Sequence, residues 1–331
     1  MEKQGRKSNG GLAKFFSSQE SGILVILLVF IVIITMVNPT FISLANMTNV
    51  FRSAGFTLIT ALGMTFVIIV GGLDLSVGSV YCLSGTISAM ALVNGVPVAP
   101  AILIGILVGV ACGAFNGIII VGMNIPPLIT TLGMMYIARG IVYVLTMGVP
   151  VYPLPAEFKA VEQTKVFDVI PVVVLIAAVL AVIAHVILRH TPLGRAVYAV
   201  GGNPDAAKVS GINIKKTKMF AYMLIGGLAG LSGILMTSRL GSAQATSGTG
   251  FEMTVIAATI IGGTSNYGGV GTVAGTVLGA IFMEVLTNCL TLMRISVYWQ
   301  NIVIGAILIG AVAIDTYRRM LQQRKAISNT K

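Results

Sequence analysis

Five ionisable side chains stand inside or at the edges of long apolar runs: Asp74, Arg139, Glu252, Glu284 and Asp315. A charge at the centre of a membrane helix costs about 2.5–3.5 kcal/mol on insertion scales, so each must be answered by a partner or a function. Asp74 and Ser76 directly precede an apolar run. Either side chain can accept from the orphan N–H groups of a starting helix, and the competing reading is a transport or gating role. Arg139 lies half-way along its run, placed to pair with Glu284 or with backbone carbonyls. So short a set gives weak support to a proton relay. Catalytic signatures are missing: the sequence has no G-x-x-x-x-G-K-[ST] phosphate loop, no H-E-x-x-H and no G-x-S-x-G. His185 and His190 read as interfacial, and Cys82, Cys112 and Cys289 as inert thiols within apolar runs. The expectation is a protein that is not an enzyme and needs no metal or cofactor.

The elements that would position these residues follow from composition. Of 331 residues, 56% are hydrophobic and 9% charged, against roughly 25% charged in a soluble domain. Runs of roughly 20 apolar residues recur along the chain. The sequence predicts an all-α polytopic membrane protein of about ten spans: 21–38, 55–72, 77–93, 97–121, 126–147, 169–188, 219–240, 251–263, 270–290 and 297–315. The first is read as an uncleaved span, since no A-x-A-like site follows it. The net charge of +11 is orientation, not affinity for nucleic acid, because most of the 21 Lys and Arg sit in three segments flanking apolar runs. Lys3, Arg6, Lys7 and Lys14 come first. Arg189, Arg195, Lys208, Lys215, Lys216 and Lys218 fill a central loop at 189–218, and Arg318, Arg319, Arg324, Lys325 and Lys331 close the chain. The positive-inside rule puts all three segments in the cytoplasm, as a tail at 1–20, a loop, and a tail at 316–331. Six spans before the loop and four after it agree with that placement, which leaves Lys159 and Glu162 in an outer loop.

Glycine is common, with 39 residues, and it recurs at helix-packing spacing. Gly105, Gly109, Gly113 and Gly117 line one face of the fourth span, Gly271, Gly275 and Gly279 one face of the ninth, and Gly226 and Gly230 fall in the seventh. Such faces allow close backbone approach between helices in lipid. One pattern occurs twice. Gly71-Gly72 breaks an apolar run, polar residues including Asp74 and Ser76 follow, and a new run opens on Val77-Gly78-Ser79-Val80. Gly262-Gly263 breaks another, followed by Thr264, Ser265 and Asn266, and then Val270-Gly271-Thr272-Val273. Paired Gly-broken spans mark the substrate route in many transporters, and two ordinary tight turns are the alternative. In the central loop Asn203 is placed to cap, Pro204 to open and Gly211 to stop a helix of two turns, with Asp205 at its positive end and Ala206 and Ala207 on its surface. It reads either as an interfacial helix on membrane lipid or as a coupling helix that seats in a partner ATPase.

The run Ala61-Leu62-Gly63-Met64-Thr65 followed by Gly71–Ser79 resembles the signature of ribose-type sugar ABC permeases. So do Thr131-Leu132-Gly133-Met134 with Arg139-Gly140, and Thr191-Pro192-Leu193-Gly194-Arg195 with Tyr198–Asn203, Ala206-Ala207 and Ser210–Asn213. Gly248–Glu252 and Ile261–Ser265 complete the series, which runs in order from about residue 20 to 315. The resemblance implies a ten-helix permease paired with a second permease copy, ABC ATPase subunits, and a periplasmic or tethered binding protein that delivers a monosaccharide. It also favours the coupling-helix reading for Gly194, Arg195, Gly202, Asn203, Ala206, Ala207 and Gly211, and a bacterial inner-membrane location. Two departures stand out: Met253-Thr254 where the family commonly has Leu-Asp, and Asn266-Tyr267 where small or aliphatic residues are usual. A secondary transporter or facilitator is the rival reading, and a membrane scaffold a third. Ribose, xylose, galactose, inositol, a nucleoside or a sugar-like signal all stay open as substrates.

Overall fold

Helices occupy all ten apolar runs in the computed structural model, which describes residues 19–167 and 169–328. Lys3, Arg6, Lys7, Lys14 and Lys331 lie outside the described residues. In chain order the helices are α1 (Gln19–Val37), α2 (Leu44–Ile69), α3 (Val77–Val93), α4 (Val98–Gly122), α5 (Pro127–Thr146), α6 (Ala156–Gln163), α7 (Val172–His190), α8 (Pro192–Gly202), α9 (Pro204–Val209), α10 (Ile214–Leu240), α11 (Phe251–Ile261), α12 (Val273–Leu292) and α13 (Val297–Ser328). Among the described residues seven helices are long and apolar enough to cross a bilayer: α2, α4, α5, α7, α10, α12 and the Val297–Tyr317 part of α13. The apolar parts of α1, α3 and α11 are shorter. α13 does not stop at 315 but continues unbroken to Ser328.

Burial ranks the helices. In α2, 89% of the apolar window is buried, against 6% in α13, so α2 is the central post and α13 the periphery. α10 packs chiefly on α4, then on α3 and α2. The α4–α10 contact is made by the glycines of both helices. A Cβ on Gly109 would run into the Gly226 carbonyl, one on Gly226 into the Gly109 carbonyl, and one on Gly113 into the Tyr222 carbonyl. Gly105 faces Ile234 and the Ser84 carbonyl, and Gly117 meets the Met219 sulfur. With no hydrophobic drive between helices in lipid, this backbone-level fit supplies the dispersion that holds the pair. α12 repeats the device on α11, with Gly275 against Gly262 and Gly279 against Ala258, while Gly271 meets Thr264. Large apolar side chains cover the outer faces instead, among them Ile137 and Val144 on α5 and Val179 and Val182 on α7. Apolar cover of that extent marks a membrane-facing surface.

The loop between α5 and α7 holds α6 and a short hairpin that pairs Lys165–Val166 with Ile170–Pro171. Glu162, expected on an exposed outer loop, is instead fully buried, with Oε1 3.3 Å from Nε of Arg52 on α2. Burial pushes its carboxyl above the usual carboxylate range, and Arg52 opposes the shift. Ser238 at the end of α10 donates to the Phe158 carbonyl at 2.6 Å and accepts from the Glu162 N–H at 3.2 Å, which pins α6 onto the bundle.

Candidate functional site: two broken helices and the loop between them

α2 ends at Ile69 because Gly71, at φ +80°, turns the chain, and Gly71–Ser76 then crosses to α3. The turn is buried and polar. Asp74 is 1% exposed, and its Oδ1 accepts from the Ser76 N–H at 2.8 Å and the Ser76 hydroxyl at 2.6 Å. Asn116 on α4 donates to Ser76 Oγ at 3.1 Å and stands 3.5 Å from Asp74 Oδ2. Thr131 on α5 accepts from the Leu75 N–H at 3.1 Å, and the Tyr222 hydroxyl on α10 lies 3.4 Å from the Leu73 carbonyl. Three helices thus clamp one turn. Of the two readings left open by the sequence, side-chain capping of α3 does not hold: the helix begins on Ser76 without a side-chain cap, and Asp74 braces Ser76 itself.

The second break follows α11 at Gly262-Gly263 and returns into α12 at Val273. Ser265 donates from its hydroxyl to Asp315 Oδ2 at 3.0 Å, and the Asn266 N–H reaches the same oxygen at 3.1 Å. One carboxylate oxygen therefore takes a serine hydroxyl and a backbone N–H in each turn. In the first turn the acid is local, and in the second it comes from α13. Thr264 is buried, its hydroxyl without a hydrogen-bond partner. Because the second turn is more exposed than the first, Asp315→Ala should cost about 0.5–1.5 kcal/mol per lost bond. Faster proteolysis or thiol labelling at 264–269 in the variant, with the rest of the bundle unchanged, is the expected readout.

The two turns meet each other and the central loop. The Gly269 N–H donates to the Ile69 carbonyl at 2.8 Å, so both breaks lie at the same end of the bundle. Gly201, in the last turn of α8, is wedged at that junction: a Cβ there would overlap the Ile69 carbonyl oxygen and stand 2.7 Å from the Gly269 N. Tyr198, one turn earlier, donates to the Gly271 carbonyl at 2.7 Å. The central loop carries two helices rather than one. In α8, Thr191 accepts from the Gly194 N–H at 3.2 Å and Pro192 opens the helix; a Cβ on Gly194 would collide with the Leu188 carbonyl. In α9, Asn203 accepts from the Ala206 N–H at 3.0 Å and Gly211 leaves at φ +80°. Ala206 is exposed and Val209 is 90% exposed, but Ala207 turns inward at 3% exposure, correcting the expectation that both alanines face out. A two-turn helix of small residues has too weak a pattern to show which alanine faces the bundle.

Arg139 stands apart from the turns. Its Nη1 donates to the carbonyls of Ala245 at 2.6 Å and Ser247 at 2.8 Å, and Nη2 lies 3.4 Å from the Gly78 carbonyl. Of the two pairings left open by the sequence it makes the backbone one, tying the 241–250 loop to the start of α3. Asn116, Tyr198, Tyr222 and the pairing of Asp315 were not found by sequence reading. For Asn116 the signal was present, as the single amide in the 25 residues of α4.

Broken apolar helices that meet a polar loop at one end of a lipid-facing bundle define a transport permease. The family model described as "branched-chain amino acid transport system / permease component" matches residues 46–312, and the chain belongs to that permease family. It is 40% identical over 313 residues to the ribose import permease protein of Haemophilus influenzae, covering 94% of this chain and 96% of the relative. It is 38% identical to the ribose import permease protein of Escherichia coli strain K12, covering 89% of this chain and 93% of the relative. The D-allose transport system permease protein of the same strain is 36% identical, over 89% of this chain and 90% of the relative. No solved structure matches the chain.

Proposed function

We propose that this chain is the membrane-spanning subunit of an ATP-binding-cassette importer, which carries a monosaccharide or sugar-like solute across the bacterial inner membrane by alternating access. The family model is described for amino acid transport, but the relatives that cover nearly the whole chain are named for ribose and D-allose, and this favours a sugar. In this reading the termini and the 189–218 loop are cytoplasmic. A separate ATPase subunit hydrolyses ATP, a second permease copy completes the pathway, and a binding protein delivers solute from outside. The observation that carries the reading is the junction at Gly201, where a loop helix touches the ends of both broken segments at once. Force applied to α8 and α9 by a nucleotide-driven partner has a direct backbone route to both gates. A facilitator without an ATPase needs no such route.

The exposed Ala206 and Val209 of α9 offer a small apolar seat for that partner. Ala206→Glu is expected to leave expression and membrane insertion intact, to abolish uptake, and to lower the amount of ATPase subunit retained on purification. Full uptake by this variant would remove α9 from the mechanism. Ala207→Glu tests something else, since it buries a carboxylate at a cost of several kcal/mol and should lower the yield of folded protein before coupling is tested.

A further inference from the structure

A cavity of about 460 Å³ opens between α2, α3, α10, α11, α12 and α13, well away from the two turns. Its size falls within the roughly 300–1,000 Å³ of small-molecule sites. Thr57, on its wall, stands twelve residues before Ile69, about 18 Å along α2 from the first break at 1.5 Å per residue. Three aromatic rings contribute to the lining. Tyr81 and Phe251 lie with centroids 4.9 Å apart at 44°, and Phe56 carries the Arg239 guanidinium 5.6 Å from its centroid. Glu284, Asn301 and Thr57 are among its polar lining residues.

Glu284 is the anomaly. It is a carboxylate on a helix able to span the membrane, yet it has no ion pair among the described residues. Its one hydrogen bond is from the Thr57 hydroxyl to Oε1 at 2.6 Å. The Arg239 guanidinium, over the Phe56 ring, gives it a cation at longer range. An ionised carboxylate offers about four acceptor positions and Thr57 takes one, which leaves the others open to a ligand. An acid kept on a spanning helix against the insertion cost invites a functional reading, and its open acceptor positions suit a ligand that donates hydroxyls. Aromatic rings facing a carboxylate suit a molecule with apolar C–H faces and hydroxyls at its edge, which describes a monosaccharide.

We propose that this cavity is a sugar-binding station within the permease, with Glu284 accepting ligand hydroxyls, Thr57 fixing the carboxylate and the Tyr81–Phe251 pair forming the apolar wall. The proposal rests on the importer reading above and adds to it the place and chemistry of solute contact. Asn301, exposed at the rim, is a second hydrogen-bonding group for the same ligand.

The test uses the complete importer in proteoliposomes, with ribose and its singly deoxygenated analogues as probes. Glu284→Gln keeps an acceptor oxygen for Thr57, and assembly is read by co-purification of the partner subunits. Ribose uptake is expected to fall about tenfold, the size of one lost charge-assisted hydrogen bond. Uptake of the analogue lacking the contacted hydroxyl should fall far less, a selectivity that general damage to the bundle would not produce. Undiminished ribose uptake, or equal losses for ribose and every analogue, would overturn the site and leave the importer reading standing. Should Glu284→Gln fail to assemble, Asn301→Ala truncates the exposed rim, and the same selective pattern at smaller size is required of it. Absence of ATP-dependent sugar uptake by the unaltered complex would instead remove the importer reading, and the station with it.

Discussion

Gly201→Val should abolish uptake and sharply reduce the folded permease recovered from membranes. The added Cβ would coincide with the Ile69 carbonyl oxygen and crowd the Gly269 N–H, and both obstacles are backbone. No side chain at this point can rotate away. Overpacking in a core commonly costs about 1–3 kcal/mol where neighbours yield by changing rotamer, and here that relief is missing. The shift would also separate Gly269 from Ile69 and break the 2.8 Å hydrogen bond that joins the two turns. The adjacent Gly202 gives the comparison, because a Cβ there meets nothing within 4 Å. Gly202→Ala should therefore assemble normally. Detergent-extracted yield and thermal stability of the two variants measure the difference, and equal yields would show that the junction is loose.

Replacing Asp74 should divide sharply by side chain. Asp74→Ala leaves the Ser76 N–H and hydroxyl without their acceptor in a buried turn, at about 1–3 kcal/mol for each unsatisfied group. Loss of assembly and of uptake is expected. Asp74→Asn keeps one acceptor oxygen for both donors. Its new amide would face the Asn116 Nδ2, and turning the Asn116 amide to present its unpartnered Oδ1 satisfies the new donor at the cost of the 3.1 Å bond to Ser76 Oγ. The amide variant should assemble at near-normal yield, and its uptake then separates two roles. Near-normal uptake makes Asp74 a brace of the turn, whereas lost uptake in an assembled complex makes its charge part of gating. A variant that assembles no better than Asp74→Ala contradicts the hydrogen-bond geometry itself.

Much of this architecture was legible because lipid imposes a strong signal. The apolar runs stand where the helices are, and the glycine spacing of α4 marks the face on which α10 packs. The two Gly-Gly breaks were visible as a repeated pattern. Other features depend on encounters between distant segments. Asp315 serves a turn 50 residues earlier, so the acid that the second turn borrows from α13 leaves no mark in the local sequence. α8 was missed as a helix because Gly194, Gly201 and Gly202 look like breakers, yet two of them are required by close approach to neighbouring backbone. Glu284 was noticed as ionisable, but its place on a cavity wall depends on six helices converging.

The glycine contact between α4 and α10 limits how this protein can move. Each backbone occupies the notch left by a missing side chain on the other, at Gly109, Gly113 and Gly226. Sliding by even one residue would drive side chains into carbonyls. The two helices therefore behave as a single strut, and a cycle that opens first one face and then the other has to pivot elsewhere. Gly71 and Gly263, at φ +80° and +90°, turn the chain at the two breaks, but their neighbours Gly72 and Gly262 are themselves fitted closely against the Tyr222 hydroxyl and the Gly275 carbonyl. The stiffness of this pair thus confines any rearrangement to the contacts around α4 and α10 rather than to the seam between them.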